Sequence, residues 1–180
     1  MLLRRFFYRR NSMLGCAQCQ NTSLALSFPR TQSAAADLEA DLVISLGDPT
    51  ATLPESALPG SPIVVGFAPQ QQLIDMAALV ITHAGLNTVM GALSSGVPLV
   101  AIPITSEQPG IAARLKRTGA GEALRVSKLT VRRLRALVSQ VLKTDSYKRS
   151  ASQMQQAICR AGGVPRAADI VLQAVASALS

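Results

Sequence analysis

From Leu42 onward, short runs of branched apolar residues alternate with stretches of helical length, and this alternation constrains the fold more than any other feature. The runs are residues 42–46, 62–67, 79–82 and 98–103. They are continuously apolar and do not alternate with polar residues, which suits strands buried on both faces of a parallel sheet. Between them, residues 70–78, 86–95 and 108–118 have helical length, and 119–124 reads as a short last strand. Strand–helix–strand repetition at this spacing predicts right-handed crossovers, hence an α/β fold with a Rossmann-like parallel sheet flanked by helices. The C-terminal tail is predicted helical over 130–143, 146–160 and 167–179, with Gly162, Gly163, Val164 and Pro165 separating the last two. In the first of these, Val131, Leu134, Leu137, Val138, Val141 and Leu142 fall on one face, and Arg132, Arg133 and Arg135 fall mostly off it.

Composition narrows the function classes. A chain of 180 residues with 48% apolar content holds one domain with a real core. No apolar run approaches the ~18 residues of a membrane span, so a soluble, at most membrane-peripheral protein is expected. Three cysteines cannot build a disulfide framework, which points to a reducing compartment, taken here as cytoplasmic. The net charge is +8, yet aromatics are only 3%, which argues against base stacking; no nucleic acid partner is expected. The charge is uneven, because the first 36 residues hold five arginines and no acid. The expected organisation is therefore a poorly ordered basic leader over 1–37, followed by a single domain over 38–180. That leader reads first as a solvated segment, with a targeting presequence or an eroded gene start as the alternatives. Cys16 and Cys19 form one C-x-x-C without a second ligand pair, and no metal site is expected.

The chemistry concentrates between residues 67 and 108. The third run ends at Thr82, and His83, Ala84 and Gly85 form a tight turn into a helix carrying Leu86, Asn87 and Thr88. The first amides of a helix have no internal partners and carry the positive end of its dipole, so this junction suits a phosphate. Asn87, Thr88 and His83 add polar groups at the same place. The competing reading is structural: Asn87 or Thr88 merely caps the helix, and His83 is a satisfied buried histidine. Beyond the next strand, Glu107 and Gln108 pair a carboxylate with an amide, a combination that binds vicinal sugar hydroxyls. There the competing reading has Ser106 as helix cap and Glu107 favouring the dipole.

Four segments carry a resemblance: Phe67-Ala68-Pro69-Gln70, the stretch from Thr82 to Thr88, Gly96-Val97-Pro98-Leu99, and Glu107-Gln108-Pro109-Gly110. Together they resemble the donor-binding signature of UDP-dependent glycosyltransferases of the GT-B fold. The spacing agrees, since Glu107 and Gln108 stand 24 and 25 residues after His83. The continuation from Gln108 to Arg114 and the stretch from Arg160 to Val171 are similar to bacterial members near zeaxanthin glucosyltransferase. Leu14-Gly15 and Gln20-Asn21 faintly resemble the glycine-rich loop that opens this domain in the family.

The resemblance implies a C-terminal, donor-side half with a UDP-sugar as co-substrate and no metal or other cofactor. Phe67 would stack on uracil, the Ala68 main chain would read the base edge, and Gln70 would reach the ribose. His83, Gly85, Leu86, Asn87 and Thr88 would hold the diphosphate, and Glu107 and Gln108 the sugar. Two departures stand out. The ribose-binding Glu of the family falls on Gly91. The acceptor-binding half with its catalytic base has no place in 180 residues, so no catalytic residue is assigned in this chain. The expected activity is hexosyl transfer from a UDP-sugar to an acceptor hydroxyl, with a separate acceptor-binding N-terminal half or subunit as partner. The alternatives are a non-catalytic nucleotide-sugar-binding module or truncated fragment and, from another class, a basic protein that binds nucleic acid or acidic membrane.

Overall fold

A computed structural model of the chain describes residues 41–46, 49–50 and 62–178, and the main chain of 13–16. Six strands are present among these residues: β1 (Met13–Cys16), β2 (Leu42–Ser45), β3 (Ile63–Val65), β4 (Leu79–Thr82), β5 (Leu99–Ala101) and β6 (Gly121–Ala123). They form one parallel sheet in the order β3-β2-β1-β4-β5-β6. The register runs straight across, with Ile63, Val43, Leu14, Val80, Leu99 and Gly121 in one row. The helices are α1 (Gln70–Met76), α2 (Leu86–Ser94), α3 (Gln108–Thr118), α4 (Val131–Lys143), α5 (Asp145–Arg160) and α6 (Gly163–Ala178), with a 3₁₀ turn at Val126–Lys128.

Strand side chains alternate between two cores, so both sheet faces are dry, as continuous apolar runs require. Val43, Val80, Leu99 and Ala101 meet Leu73 and Ile74 of α1, Val89 and Leu93 of α2, Leu115 of α3 and Ala151 of α5. On the other face, Leu42, Ile44, Leu79, Ile81, Val100 and Ile102 meet Leu134, Val138 and Val141 of α4. The predicted apolar face of α4 is thus the one it buries, while Val131, Leu137 and Leu142 pack at its margin.

Three expectations change. Met13–Cys16, inside the segment read as a leader, is a strand paired on both sides, so the sheet recruits it; the rest of 1–37, including Cys19, Gln20 and Asn21, lies outside the described residues. Phe67 lies beyond the end of β3 and not within a strand. The last helix begins at Gly163, four residues earlier than the pattern predicts. Pro165 falls in its first turn, where no donor is missed, and Gly162, at φ +78°, makes the break with α5.

No helix among the described residues is long and apolar enough to cross a membrane.

Candidate nucleotide-sugar site

The strand order reverses between β1 and β4: β1 leads outward through β2 to β3, and β4 through β5 to β6. In sheets of this topology the crevice outside the carboxyl ends at the reversal is the usual ligand site. His83 leaves β4 there. Thr82 pairs with Ala101, and the Ile102 amide donates to the Thr82 carbonyl at 2.7 Å. Two of the three chain segments that carry the predicted site residues therefore leave the sheet side by side.

The turn after β4 is tight. The Thr82 hydroxyl accepts from the Ala84 amide at 3.3 Å, and fully buried Ala84 adopts φ +70°. A left-handed alanine costs about 1–2 kcal/mol, a strain of the kind found where function fixes the backbone. Gly85 is the N-cap of α2 and offers no side chain to it. Its role is clearance: a Cβ on Gly85 would lie 2.7 Å from His83 Nε2, so the imidazole rests directly over it. Val89 makes the first helical bond, to the Gly85 carbonyl, and the amides of Leu86, Asn87 and Thr88 lie before it at the positive end of the helix.

Both parts of the structural reading of this junction fail. Neither Asn87 nor Thr88 caps α2. Buried His83 Nδ1 has no hydrogen-bond partner among the described residues, so the ring is not a satisfied core histidine. Burial pushes the imidazole below its ordinary range, with the carboxylate of Glu107 opposing that shift. Glu107, from the neighbouring junction, is thus electrostatically coupled to His83.

Other predicted residues take defined places. Phe67 is 65% exposed, and the next residue, Ala68, is buried. Gln70, the first residue of α1, donates through Nε2 to the Thr88 hydroxyl at 2.9 Å. This bond ties the segment after β3 to the first turn of α2, although β3 lies three places from β4 in the sheet. Thr88 is buried and its oxygen is engaged by Gln70, whereas Leu86 and Asn87 are exposed. At the second junction Ser106 adopts φ +55° and does not cap α3; Glu107 is the N-cap residue and is exposed. Gln108 Oε1 instead accepts from the amides of Ile104 at 2.9 Å and Thr105 at 3.1 Å. That fixes the loop and leaves the two Nε2 hydrogens of Gln108 without a partner among the described residues.

Sequence reasoning missed Gln71. Its Oε1 lies 2.9 Å from where a Cβ on Gly91 would stand, filling the space of the side chain absent there. No local pattern signals a contact between residues 20 apart on two packed helices.

Residues 30–176 match the family described as erythromycin biosynthesis protein CIII-like, C-terminal domain. An uncharacterized UDP-glucosyltransferase of Bacillus subtilis, YojK, is 31% identical over 77% of this chain and 34% of its own length. A zeaxanthin glucosyltransferase of Pseudescherichia vulneris is 38% identical over 67% of this chain and 29% of its own. The crystal structure of a kitacinnamycin glycotransferase superimposes with a TM-score of 0.79 at 25% identity, over 91% of this chain and 43% of that one. The chain therefore spans about a third of these curated relatives and under half of the solved neighbour. Motifs, strand order and matched span agree: the chain belongs to the family of erythromycin biosynthesis protein CIII-like C-terminal domains, the C-terminal-half family of GT-B glycosyltransferases that its motifs resemble.

Proposed function

We propose that this chain binds the nucleotide-sugar donor for an inverting UDP-glycosyltransferase. The observation that carries this reading is the open N-terminus of α2 at the strand reversal, with an unsatisfied imidazole over it and no capping side chain. Phe67 offers a ring face to uracil and the Ala68 main chain reads its edge. Gln70 reaches the ribose. The amides of Leu86, Asn87 and Thr88, with His83 and the Asn87 side chain, take the diphosphate; Glu107 and the free amide hydrogens of Gln108 take sugar hydroxyls. As an acceptor oxygen attacks the anomeric carbon in line, charge develops on the departing UDP, and fixed amide dipoles stabilise it without reorganisation. Neutralisation by the helix end and His83 needs no metal ion or other cofactor, and the setting is cytoplasmic.

In this reading the acceptor and the base that deprotonates it belong to a second half, and the bare apolar face of α6 supports docking of that half there. None of its sixteen residues is buried, and Val164, Val171, Leu172 and Val175 are exposed, Val164 by 83%. A lone sixteen-residue helix is marginal in water and gains its stability from a covered apolar face. A hydroxylated apolar alcohol is the acceptor class suggested by the zeaxanthin relative.

Calorimetric titration with UDP and UDP-glucose tests the donor reading. Saturable binding is expected, and a folded chain that gives no heat at millimolar ligand overturns it. Transfer that appears only when an acceptor half is added supports the split enzyme. UDP-glucose binding with no transfer under that condition supports the non-catalytic module, the reading that Gly91 favours.

A further inference from the structure

Gly91 removes a side chain from the second turn of α2, and the neighbouring helix has filled the place. Gln71 Oε1 lies 2.9 Å from the position of a Gly91 Cβ, with Ile74 Cδ1 next at 3.5 Å. The amide is held from behind. Its Nε2 donates to Ser95 Oγ at 2.8 Å and to Asp75 Oδ1 at 2.9 Å, and Ser95 Oγ donates to the same Asp75 oxygen at 2.6 Å. This closed triangle occupies both donor hydrogens and leaves the carbonyl oxygen as the acceptor facing Gly91. These two hydrogen bonds, from Ser95 first and Gln71 second, hold the Asp75 carboxyl below its ordinary range, so the anchor stays ionised at neutral pH.

The location of the triangle gives it meaning, and here the argument rests on the donor reading above. With the base on Phe67 and the diphosphate at the first turn of α2, the ribose must bridge the ground between them. That ground is the contact of α1 with α2, where Gln70 meets Thr88 and, one turn on, Gln71 meets Gly91. We infer that Gln71 reads the ribose beside Gln70: its anchored carbonyl accepts from one ribose hydroxyl in place of a carboxylate on residue 91. Recognition of the sugar ring then passes from a charged acceptor on α2 to a neutral one on α1. A neutral acceptor discriminates less, so the chain tolerates nucleotides lacking a ribose hydroxyl better than a carboxylate-bearing site does.

Dissociation constants for UDP, 2′-deoxy-UDP and 3′-deoxy-UDP test this on the full chain. The wild type is expected to prefer UDP over at least one deoxy nucleotide by about 2- to 10-fold, the range of a neutral hydrogen bond. Gln71→Ala brings the ratio for the hydroxyl that it reads to about one, by weakening UDP and not the nucleotide lacking that hydroxyl. Ser95→Ala, which removes one anchor and keeps the carbonyl, lowers the ratio part way. Gly91→Glu, whose only close contact is the flexible end of Gln71, raises it. If Gln71→Ala leaves both ratios intact, or weakens all three nucleotides equally, the inference falls while the donor reading stands. If the wild type binds no UDP, the donor reading falls and takes this one with it.

Discussion

The two strand-to-helix junctions at the carboxyl edge are built alike and finished differently. Each follows a central strand, each holds a left-handed residue other than glycine before its helix (Ala84 and Ser106), and each lies beside the other in the sheet. After β5, the loop closes on itself: Gln108 reaches back and takes the amides of Ile104 and Thr105. After β4, nothing reaches back. Gly85 brings no side chain, Asn87 and Thr88 do not cap, and His83 covers the turn with one nitrogen unpartnered. Neither helix has a side-chain cap; what differs is the turn before it, held by Gln108 at one junction and covered by an imidazole with an unpartnered nitrogen at the other.

The largest effect should come from closing the open junction. Gly85→Val drives a side chain into the space of the His83 ring, and UDP affinity should fall about 10- to 100-fold, the scale of charge-assisted hydrogen bonds. Unchanged calorimetric affinity would remove the diphosphate from this corner. Next is His83→Ala, with a loss of about tenfold and the loss of a pH signature. Burial depresses the His83 pKa in the free chain below its ordinary 6.5, so the folded protein holds fewer protons there than the unfolded one. Its stability contribution is complete above about pH 6.5 and declines as pH falls from that value toward the folded pKa. A bound diphosphate favours the imidazolium, so UDP affinity should rise as pH falls from 8 to 6, with proton uptake. His83 is the sole histidine, and its ring NMR signals report this without assignment. A flat affinity profile in the wild type would refute the assignment.

The closed junction should respond more weakly and in a different observable. Gln108→Ala leaves two loop amides without their acceptor and should cost about 1 kcal/mol of stability. It should weaken UDP-glucose a few-fold while leaving UDP unchanged, because the proposed donor pose puts the sugar and not the nucleotide there. An equal loss for both ligands would place Gln108 on the nucleotide. The smallest contrast is between the two left-handed residues. Ser106→Gly relieves strain at an exposed site and should stabilise by about 0.5 kcal/mol after the added entropy of the unfolded chain. Ala84→Gly relieves similar strain but removes a fully buried methyl and should destabilise by about 0.5 kcal/mol. Melting curves in which the two shifts share a sign would show that the junctions are not strained alike.

Much of this was legible in residues 42–124, for a local reason. Strands dry on both faces read as unbroken apolar runs, and β2, β4 and β5 appear within residues 42–46, 79–82 and 98–103, where such runs stand. The spacing from His83 to Glu107 was legible too, because β5 and its loop set it along the chain. Met13–Cys16 was not legible: four residues in a basic segment carry no period, and only pairing with β2 and β4 makes them a strand. The bare face of α6 was invisible for the converse reason, since an amphipathic pattern tells that a face is apolar and not whether anything covers it.

Sequence alone determined the fold class and the helix carrying Asn87 and Thr88, because each follows from near neighbours or period. The tertiary structure decided that Phe67 is exposed, that Gln70 locks to Thr88, that Gln71 fills the gap at Gly91, and that Gln108 holds one turn while the imidazole over the other keeps an unpartnered nitrogen. These are contacts between segments that meet only when the sheet assembles. A hydrogen bond across 18 residues depends on where two helices pack, which no local pattern encodes.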